Sequence, residues 1–380
     1  MLAEHNIPSL VLEAYPGLDT RLRATQYGVP ATRIFRQAGL IDDFRAASIS
    51  SFPTICWRRV EDGQKLIEID MACVKDHPDR MTILPLGQMI EIIYAHCLRR
   101  GKGLIDIRFN NRVVACGQDE GKAWVDVDVG AEGDQRRERF EADYLIGCDG
   151  ATSAVRKSLF GHEWPGQTFD CRFLVQNVFY DGFEKHGWDG GNYQVSPDHW
   201  GLIAKRGKGG LWRVTYGDIS GLPDEELLKR RPWHLEAMLP GHPKPDQYRI
   251  EGTNIYNIHN RCVEKMKVGR ILLCGDAAHV NNPMGGYGCM NAILDTGGLA
   301  DCLIGYYEGK ADESILDLYA EKRREIFVKY VDRRSILNLD RVWKADPWTV
   351  LEADKFFAIL KELEGDVEAT RAFLLVNEPL

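Results

Sequence analysis

The sequence lacks several features that would assign it to a class at once. It contains no apolar run near the roughly 20 residues that a membrane-spanning helix needs, so we expect no membrane span. Its first residues, MLAEHNIPSLVLEAYPG, have no basic segment ahead of a long apolar core, which argues against a signal peptide. Internal repeats and low-complexity tracts are also missing. These absences favour a globular protein of the cytoplasm.

Metal-ligand spacing is absent as well. The ten cysteines are scattered and none forms a CxxC pair, so we expect no metal site. Several lie in apolar runs, such as Cys148 in YLIGC and Cys274 in ILLCG, which is typical of buried, reduced thiols. The net charge of -8 argues against a nucleic acid as a partner.

The composition that is present is that of an ordinary folded chain. Of the 380 residues, 44% are apolar and 27% are charged. This length suits two closely packed domains. The predicted elements follow the order α/β, then a block rich in strands, then α/β again, then helices. This order predicts a nucleotide-binding domain that is interrupted by a sheet domain.

Changes in composition give the predicted domain boundaries. Between about 165 and 260, Trp, Tyr, Phe and Gly become frequent, which indicates a mostly antiparallel sheet with one helix near 224–238. The nucleotide-binding domain is predicted at 1–50, 85–164 and 265–305, the strand-rich substrate domain at 51–84 and 165–264, and a helical region at 306–380.

The strongest motif is GRILLCGDAAHVNNPMGGYG, at residues 269–288. A buried strand ends at Gly275-Asp276, where α/β sheets bind ligands, and the Asp276 carboxylate can accept hydrogen bonds from ribityl or ribose hydroxyls. The glycines that follow would let the backbone approach a flat ring, and amides at the next helix start would stabilise negative charge on it. A glycine-rich turn without a ligand is the alternative, and the joint pattern over the whole segment argues against it.

A second motif of the same kind is ADYLIGCDGATSAVRKSLFG, at residues 142–161. Another buried strand ends at Asp149-Gly150, Ser153 is placed to cap the next helix, and Arg156 lies in its first turns. A strand followed by Asp-Gly is common in proteins without a ligand there. The second motif is therefore specific for a ligand site only in combination with the first.

The two motifs together resemble those of the FAD-dependent aromatic hydroxylases, the class A flavoprotein monooxygenases of the p-hydroxybenzoate hydroxylase type. The family motif DGxxSxVR is matched by Asp149, Gly150, Ser153, Val155 and Arg156. The family motif GDAAHxxPPxGGxGxN is matched by Gly275, Asp276, His279, Pro283, Gly285, Gly286 and Gly288. The resemblance runs from residue 1 to about 330 and is weakest across the strand-rich block.

The resemblance implies an FAD-binding, Rossmann-like α/β domain of the glutathione-reductase type. It implies that Glu13, at the end of the second strand, binds the adenosine ribose, and that Arg23 in RATQYG contacts the FAD diphosphate. The other residues that it assigns to the cofactor belong to the two motifs: Asp149, Gly150, Asp276, Pro283, Gly285, Gly286 and Gly288.

The implied activity is hydroxylation. NAD(P)H supplies electrons, O2 supplies the transferred oxygen atom, and an aromatic or enolic small molecule accepts it. No residue stands out as the general base, and Tyr, His and Arg side chains of the strand-rich block are unranked candidates. A histidine at the position of His279 in this motif is more often structural than catalytic. The sequence leaves the oligomeric state open.

The chain departs from the family pattern at its N-terminus. The family's first strand and its GxGxxG loop, which places amides on the FAD pyrophosphate, do not precede Leu2. Loss of that central strand would expose the edges and apolar faces of its neighbours. One explanation is a truncation by a misplaced start codon. The other is a non-redox descendant, such as a cyclase, an isomerase or a binding protein, that no longer binds FAD. A second departure is Met290, which stands where the family has Asn, with Asn291 one place on.

Overall fold

The computed structural model describes residues 1–19, 21, 24–48, 54–101, 103–206 and 210–376, so Arg23 lies outside the described residues. Most of the strands coincide with segments whose apolar residues alternate or run continuously. They are β1 Ser9–Leu12, β2 Gln26–Tyr27, β3 Thr54–Arg59, β4 Lys65–Asp70, β5 Thr82–Ile83, β6 Ile105–Arg108, β7 Asn111–Gln118, β8 Ala123–Val129, β9 Arg136–Ala142, β10 Leu145–Gly147, β11 Gly166–Phe179, β12 Gly191–Val195, β13 Gly201–Lys205, β14 Leu211–Ile219, β15 Arg249–Cys262, β16 Lys267–Val268, β17 Ile271–Leu273 and β18 His279–Val280.

The helices begin and end at recognisable residues. The first has Pro30 in its first turn and is followed by Gly39, whose φ of +71° is a conformation that glycine tolerates best. The helices are α1 Val29–Gln37, α2 Ile41–Ala47, α3 Leu86–Arg100, α4 Ala154–Phe160, α5 Gly182–Lys185, α6 Asp224–Met238, α7 Tyr287–Tyr307, α8 Ser314–Ile326, α9 Asp332–Trp343, α10 Val350–Ala353, α11 Lys355–Leu363 and α12 Val367–Val376. None of the helices in the described part of the chain has the length and apolar character that crossing a bilayer requires.

The parallel part of the fold consists of two small sheets. Strand β1 pairs in parallel with β6, and β10 pairs in parallel with β17, which continues to β16. Among the described strands, β1 and β10 are each paired along one edge only. Leu10 and Val11 of β1 are 42% and 45% exposed. The unpaired edge of β1 in the described part of the chain therefore coincides with exposed apolar side chains.

A large sheet follows from the strand-rich block. Its eight strands lie in the order β18-β15-β11-β14-β13-β12-β3-β4, and all pairs are antiparallel except β12 with β3. One face packs on a core that includes Trp212 and Phe183, next to α6, and the other on a core that includes Phe173 and Met284. The mixed α/β class predicted from the sequence is therefore confirmed. Because β18 lies in 265–305 yet joins this sheet, the exact domain division stays a prediction.

A charged hairpin joins β8 to β9. Residues 130–135 form its turn, and Arg136–Ala142 forms strand β9 of a three-stranded meander with β7 and β8. Cross-strand ion pairs explain it: Arg139 Nε lies 2.8 Å from Asp126 Oδ1, and Arg137 Nε lies 2.7 Å from Asp128 Oδ1. Opposite charges facing each other across two strands stabilise the pairing.

The Phe183 side chain gives a test of the core beside α6. It is fully buried and stacks on Trp212 with ring centroids 4.4 Å apart. Phe183→Ala should lower the free energy of unfolding by about 3–5 kcal/mol, because it leaves a cavity. The measurement is urea unfolding followed by circular dichroism. Leu337→Ala, at a side chain that is 59% exposed, should change it by no more than about 0.5 kcal/mol. Equal losses in the two variants would contradict this assignment of the core.

Candidate active site

The two motif strands bring their acidic residues to one edge. Gly147 of β10 is the register partner of Leu273 of β17, and the Cys274 amide donates to the Gly147 carbonyl at 3.0 Å. Asp149 and Asp276 therefore follow the carboxyl ends of two adjacent parallel strands, and both are exposed there. This is the position at which open α/β sheets bind their ligands.

Asp149 also organises the start of α4. One carboxylate oxygen accepts from the Ser153 hydroxyl, and the other accepts from the amides of Ala154 and Val155 at 2.7 and 3.1 Å. Gly150 has a φ of +78°, and a Cβ added to it would meet nothing within 4 Å. The turn therefore opens onto free space, while the Asp149 carboxylate is engaged by its own helix. Contacts of Asp149 and Gly150 with the cofactor stay a prediction.

Arg156 joins the two motifs. Its buried guanidinium donates to the Ala277 carbonyl at 3.1 Å and to the Ala151 carbonyl at 2.7 Å, and it lies 3.6 Å from the centre of the Trp164 ring. Burial lowers the pKa of this guanidinium. Sequence reasoning placed Arg156 in the helix but missed this clamp, since the carbonyl of Ala277 is 121 residues away along the chain.

The glycine turn of the strongest motif leads into the longest helix. Gly285 and Gly286 have φ values of +110° and +71°, and the Gly286 amide donates to the Pro283 carbonyl at 3.1 Å. Gly286 is the N-cap residue of α7. A Cβ added to it would meet nothing within 4 Å. The turn before Gly288 is thus an open cradle whose helix-start amides can receive a carbonyl or an anion. These residues fit the flavin end of FAD.

A buried ionic cluster lies behind that cradle. The Asp295 carboxylate accepts from the Gly275 amide at 3.0 Å, from His279 Nε2 at 2.8 Å and from Arg323 Nε at 2.7 Å. Arg323 also donates to the side-chain oxygen of Asn291. His279 is therefore held inside the protein by a carboxylate, as its structural interpretation predicts. Met290, by contrast, packs in an apolar core.

The charge of Asp295 is set by two opposing effects. Burial alone would raise its pKa, but His279 and Arg323 outweigh burial and hold the pKa below the ordinary value of 3.8. The ionised carboxylate is consequently the state that fixes the Gly275 amide and the start of the cofactor motif. The cluster was not predicted, because Asp295 and Arg323 lie in helices whose sequences show only ordinary helical patterns.

Glu13 ends β1 as predicted, in the other parallel sheet. Its amide donates to the Arg108 carbonyl at 2.9 Å, and its Oε1 accepts from the Tyr15 amide at 2.9 Å. The carboxylate is thereby fixed in its own turn at the carboxyl end of the strand. Its predicted contact with the adenosine ribose is not tested by these bonds.

The large sheet contributes two arginines on the face that packs against Met284. Because side chains alternate along a strand, Arg213 lies on the face of β14 opposite to Trp212. Its guanidinium donates to the Asn177 Oδ1 atom at 3.2 and 3.3 Å. Arg206 is buried just beyond β13. Burial lowers the pKa of Arg206 to about 9 and that of Arg213 to about 10, and Arg213 depresses Arg206 further. Sequence reasoning left these side chains unranked.

Two tyrosines have raised pKa values, one with Arg206 and the other with the Gly285 backbone among the groups that act on it. Tyr27 is fully buried, its hydroxyl has no hydrogen-bond partner among the described residues, and both Arg206 and Cys289 influence its pKa, which burial raises. Tyr193 stacks on Trp57, and burial raises its pKa to about 12 while the Gly285 backbone counteracts this. Arg206 therefore acts on the Tyr27 hydroxyl, and the Gly285 backbone acts on the Tyr193 hydroxyl.

Replacement of Asp295 tests the buried cluster. Since its pKa is lower in the folded than in the unfolded state, its stabilisation is complete above about pH 3.8 and is lost as the pH falls through the folded value. Asp295→Asn should cost about 3–5 kcal/mol at neutral pH, because Arg323 is left buried without its partner, and should flatten the acid limb of stability. Unfolding would be measured between pH 2 and 7. Asp301→Asn, an exposed site of the same helix, is the control, and matching curves for the two variants would refute the role.

Comparison with known proteins shows the family to which the chain belongs. Residues 1–334 match the family described as FAD binding domain. The chain is 34% identical to para-nitrophenol 4-monooxygenase of Pseudomonas sp. strain WBC-3, over 100% of this chain and 91% of that protein. It is 30% identical to 6-hydroxy-3-succinoylpyridine 3-monooxygenase HspB of Pseudomonas putida strain S16, over 91% of this chain and 86% of that protein.

Solved structures agree. The crystal structure of p-nitrophenol 4-monooxygenase PnpA from Pseudomonas putida DLL-E4 superposes with a TM-score of 0.88 at 30% identity, covering 98% of this chain and 92% of that one. Aklavinone-11 hydroxylase with FAD and aklavinone shares the fold, with a TM-score of 0.76 at 22% identity, over 90% of this chain and 66% of that one. Nothing among these similarities favours the non-redox alternative. The chain belongs to the FAD binding domain family and, within it, to the FAD-dependent aromatic monooxygenases.

Proposed function

We propose that this monooxygenase hydroxylates a phenol or hydroxypyridine that binds as its anion beside Arg206 and Arg213. The observation that carries the proposal is the pair of desolvated guanidinium groups on the sheet face that packs against the glycine turn. The names of two relatives support it, since p-nitrophenol and a 6-hydroxypyridine both have an acidic aromatic hydroxyl group. Guanidinium groups stabilise such oxyanions through charge-assisted hydrogen bonds.

The cofactor contacts are part of the proposal. Asp276, Pro283 and the glycines Gly285, Gly286 and Gly288 would hold the flavin and ribityl end of FAD. Glu13, Arg23, Asp149 and Gly150 would hold the adenosine and diphosphate end. Bound there, FAD would supply the oxygen-activating redox chemistry with electrons from NAD(P)H.

The side chains around the substrate would act by charge and exclusion of water. The two arginines lower the pKa of a bound hydroxyl, and the resulting phenolate is a stronger nucleophile toward the transferred oxygen atom. Asn177 fixes the direction of Arg213, since it accepts two of its hydrogen bonds. The Tyr27 hydroxyl, which is buried and has no hydrogen-bond partner among the described residues, would donate to the substrate oxygen.

Three further expectations remain part of the proposal. We assign the protein to the cytoplasm, retain the predicted division into a discontinuous FAD-binding domain and a strand-rich substrate domain, and leave NADH and NADPH as alternative electron donors. A homo-oligomer is compatible with this function.

The function is tested by FAD binding and coupled turnover. FAD should bind in a one-to-one ratio, and p-nitrophenol should stimulate oxygen-dependent oxidation of NADH or NADPH with formation of a hydroxylated product. Asp276→Asn should raise the FAD dissociation constant roughly 10- to 100-fold, the size expected for loss of a charge-assisted hydrogen bond. Asp301→Asn should leave it unchanged. A protein that binds no flavin at all would disprove the assignment.

The arginine pair is tested by substrate kinetics. Arg206→Met should raise the KM for the phenol about 10-fold or more while FAD affinity stays as in the wild type, because the buried charge would be removed from the substrate anion. The measurement is steady-state NAD(P)H oxidation at varied substrate concentration. Arg249→Met, at an exposed arginine of β15 in the same sheet, is the matched control. An unchanged KM in Arg206→Met would place the substrate elsewhere.

A further inference from the structure

Two cysteines stand side by side beneath the cofactor edge. Cys148 directly follows β10 and Cys274 directly follows β17, and these strands are paired in parallel with Gly147 opposite Leu273. The next residue pair in this register is therefore Cys148 and Cys274. Residues opposite each other on neighbouring parallel strands point to the same face, and the strands are about 4.8 Å apart, within the Cα separation that a disulfide spans.

The two thiols contact each other but have different surroundings. A hydrogen bond with Cys148 and burial together raise the pKa of the Cys274 thiol well above 9, and the hydrogen bond has the larger effect. The Cys274 sulfur is buried and lies 3.2 Å from the Tyr319 hydroxyl. Cys148 is exposed, and both cysteines are free thiols in the structure. An oxidant from solvent would therefore meet Cys148 first and find Cys274 as its only buried neighbour along this register.

We propose that Cys148 and Cys274 form a redox-sensitive thiol pair, in which Cys148 reacts with a hydroperoxide and Cys274 then closes a disulfide. In the first step the Cys148 sulfur attacks hydrogen peroxide, the O–O bond breaks, and Cys148 becomes a sulfenic acid with release of one water. In the second step the Cys274 sulfur displaces the hydroxyl group, which leaves with the Cys274 proton as a second water. Two thiols are oxidised and one peroxide is reduced.

The position of the pair gives the reaction a context. The oxidant is hydrogen peroxide, which a flavin monooxygenase releases whenever it consumes oxygen without hydroxylating its substrate. The thiols immediately precede Asp149 and Gly275-Asp276, so a bond between them would covalently join the two strands that carry both cofactor motifs. Those strands have only three residues each.

The experiment treats the FAD-loaded protein with a small excess of hydrogen peroxide, quenches it, and counts thiols after denaturation. The untreated chain has ten thiols, and the treated chain should lose two of them, recoverable with dithiothreitol. Peptide mapping by mass spectrometry should find a Cys148–Cys274 linked pair. Because the peroxide is added directly, the outcome does not depend on the identity of the aromatic substrate.

Two variants make the result specific. Cys148→Ser should abolish the linked pair and the paired loss of thiols, whereas Cys97→Ser, which removes a partly buried thiol of α3, should still form the link. A disulfide between Cys274 and any cysteine other than Cys148 would overturn the proposal. So would oxidation of Cys148 to a sulfinic acid with Cys274 left reduced.

Discussion

The carboxylate of Asp295 is the constraint on which the cofactor edge depends. It is fully buried, and its acceptors are used by three groups from different parts of the chain: the Gly275 amide, His279 and Arg323. Through it the strand that carries the Asp276 motif is tied to α7, and α7 is tied to α8. A buried ion pair of this kind gives little net stability but strongly penalises any other arrangement. The position of the glycine turn at the head of α7 follows from that restriction.

A second clamp aligns the two motifs with each other. Arg156 reaches from the start of α4 to the Ala277 carbonyl, so the turn after β10 and the turn after β17 move as one unit. Together the Asp295 and Arg156 interactions preorganise an edge whose outer side is left open at Gly150 and Gly286. Preorganisation of this kind lets a site use its binding energy on the ligand and not on its own rearrangement.

Periodicity and motif spacing predicted much of this fold. The end of a strand at Glu13 and helix α6 at Asp224–Met238 agree with the sequence analysis, because hydrophobic periodicity is a local signal. Strand β9 has little apolar periodicity, and ion pairs with β8 stabilise it. The Arg206 and Arg213 pair could not be ranked for a related reason: it exists only once the register of β11, β13 and β14 is known.

The free-energy cost of burying the charges of Arg206 and Arg213 determines which ligands they would favour. Burial makes each guanidinium less stable as a cation, and Arg213 adds to the cost of charging Arg206, so that the pKa falls to about 9 for Arg206 and about 10 for Arg213. A bound anion reverses both penalties, so its affinity and the protonation of the pair are reciprocally linked. A neutral phenol gains little from such a site, whereas its phenolate gains much. In the proposed function the same residues would select the substrate and produce its reactive form, which would join binding to catalysis in a protein whose net charge is -8.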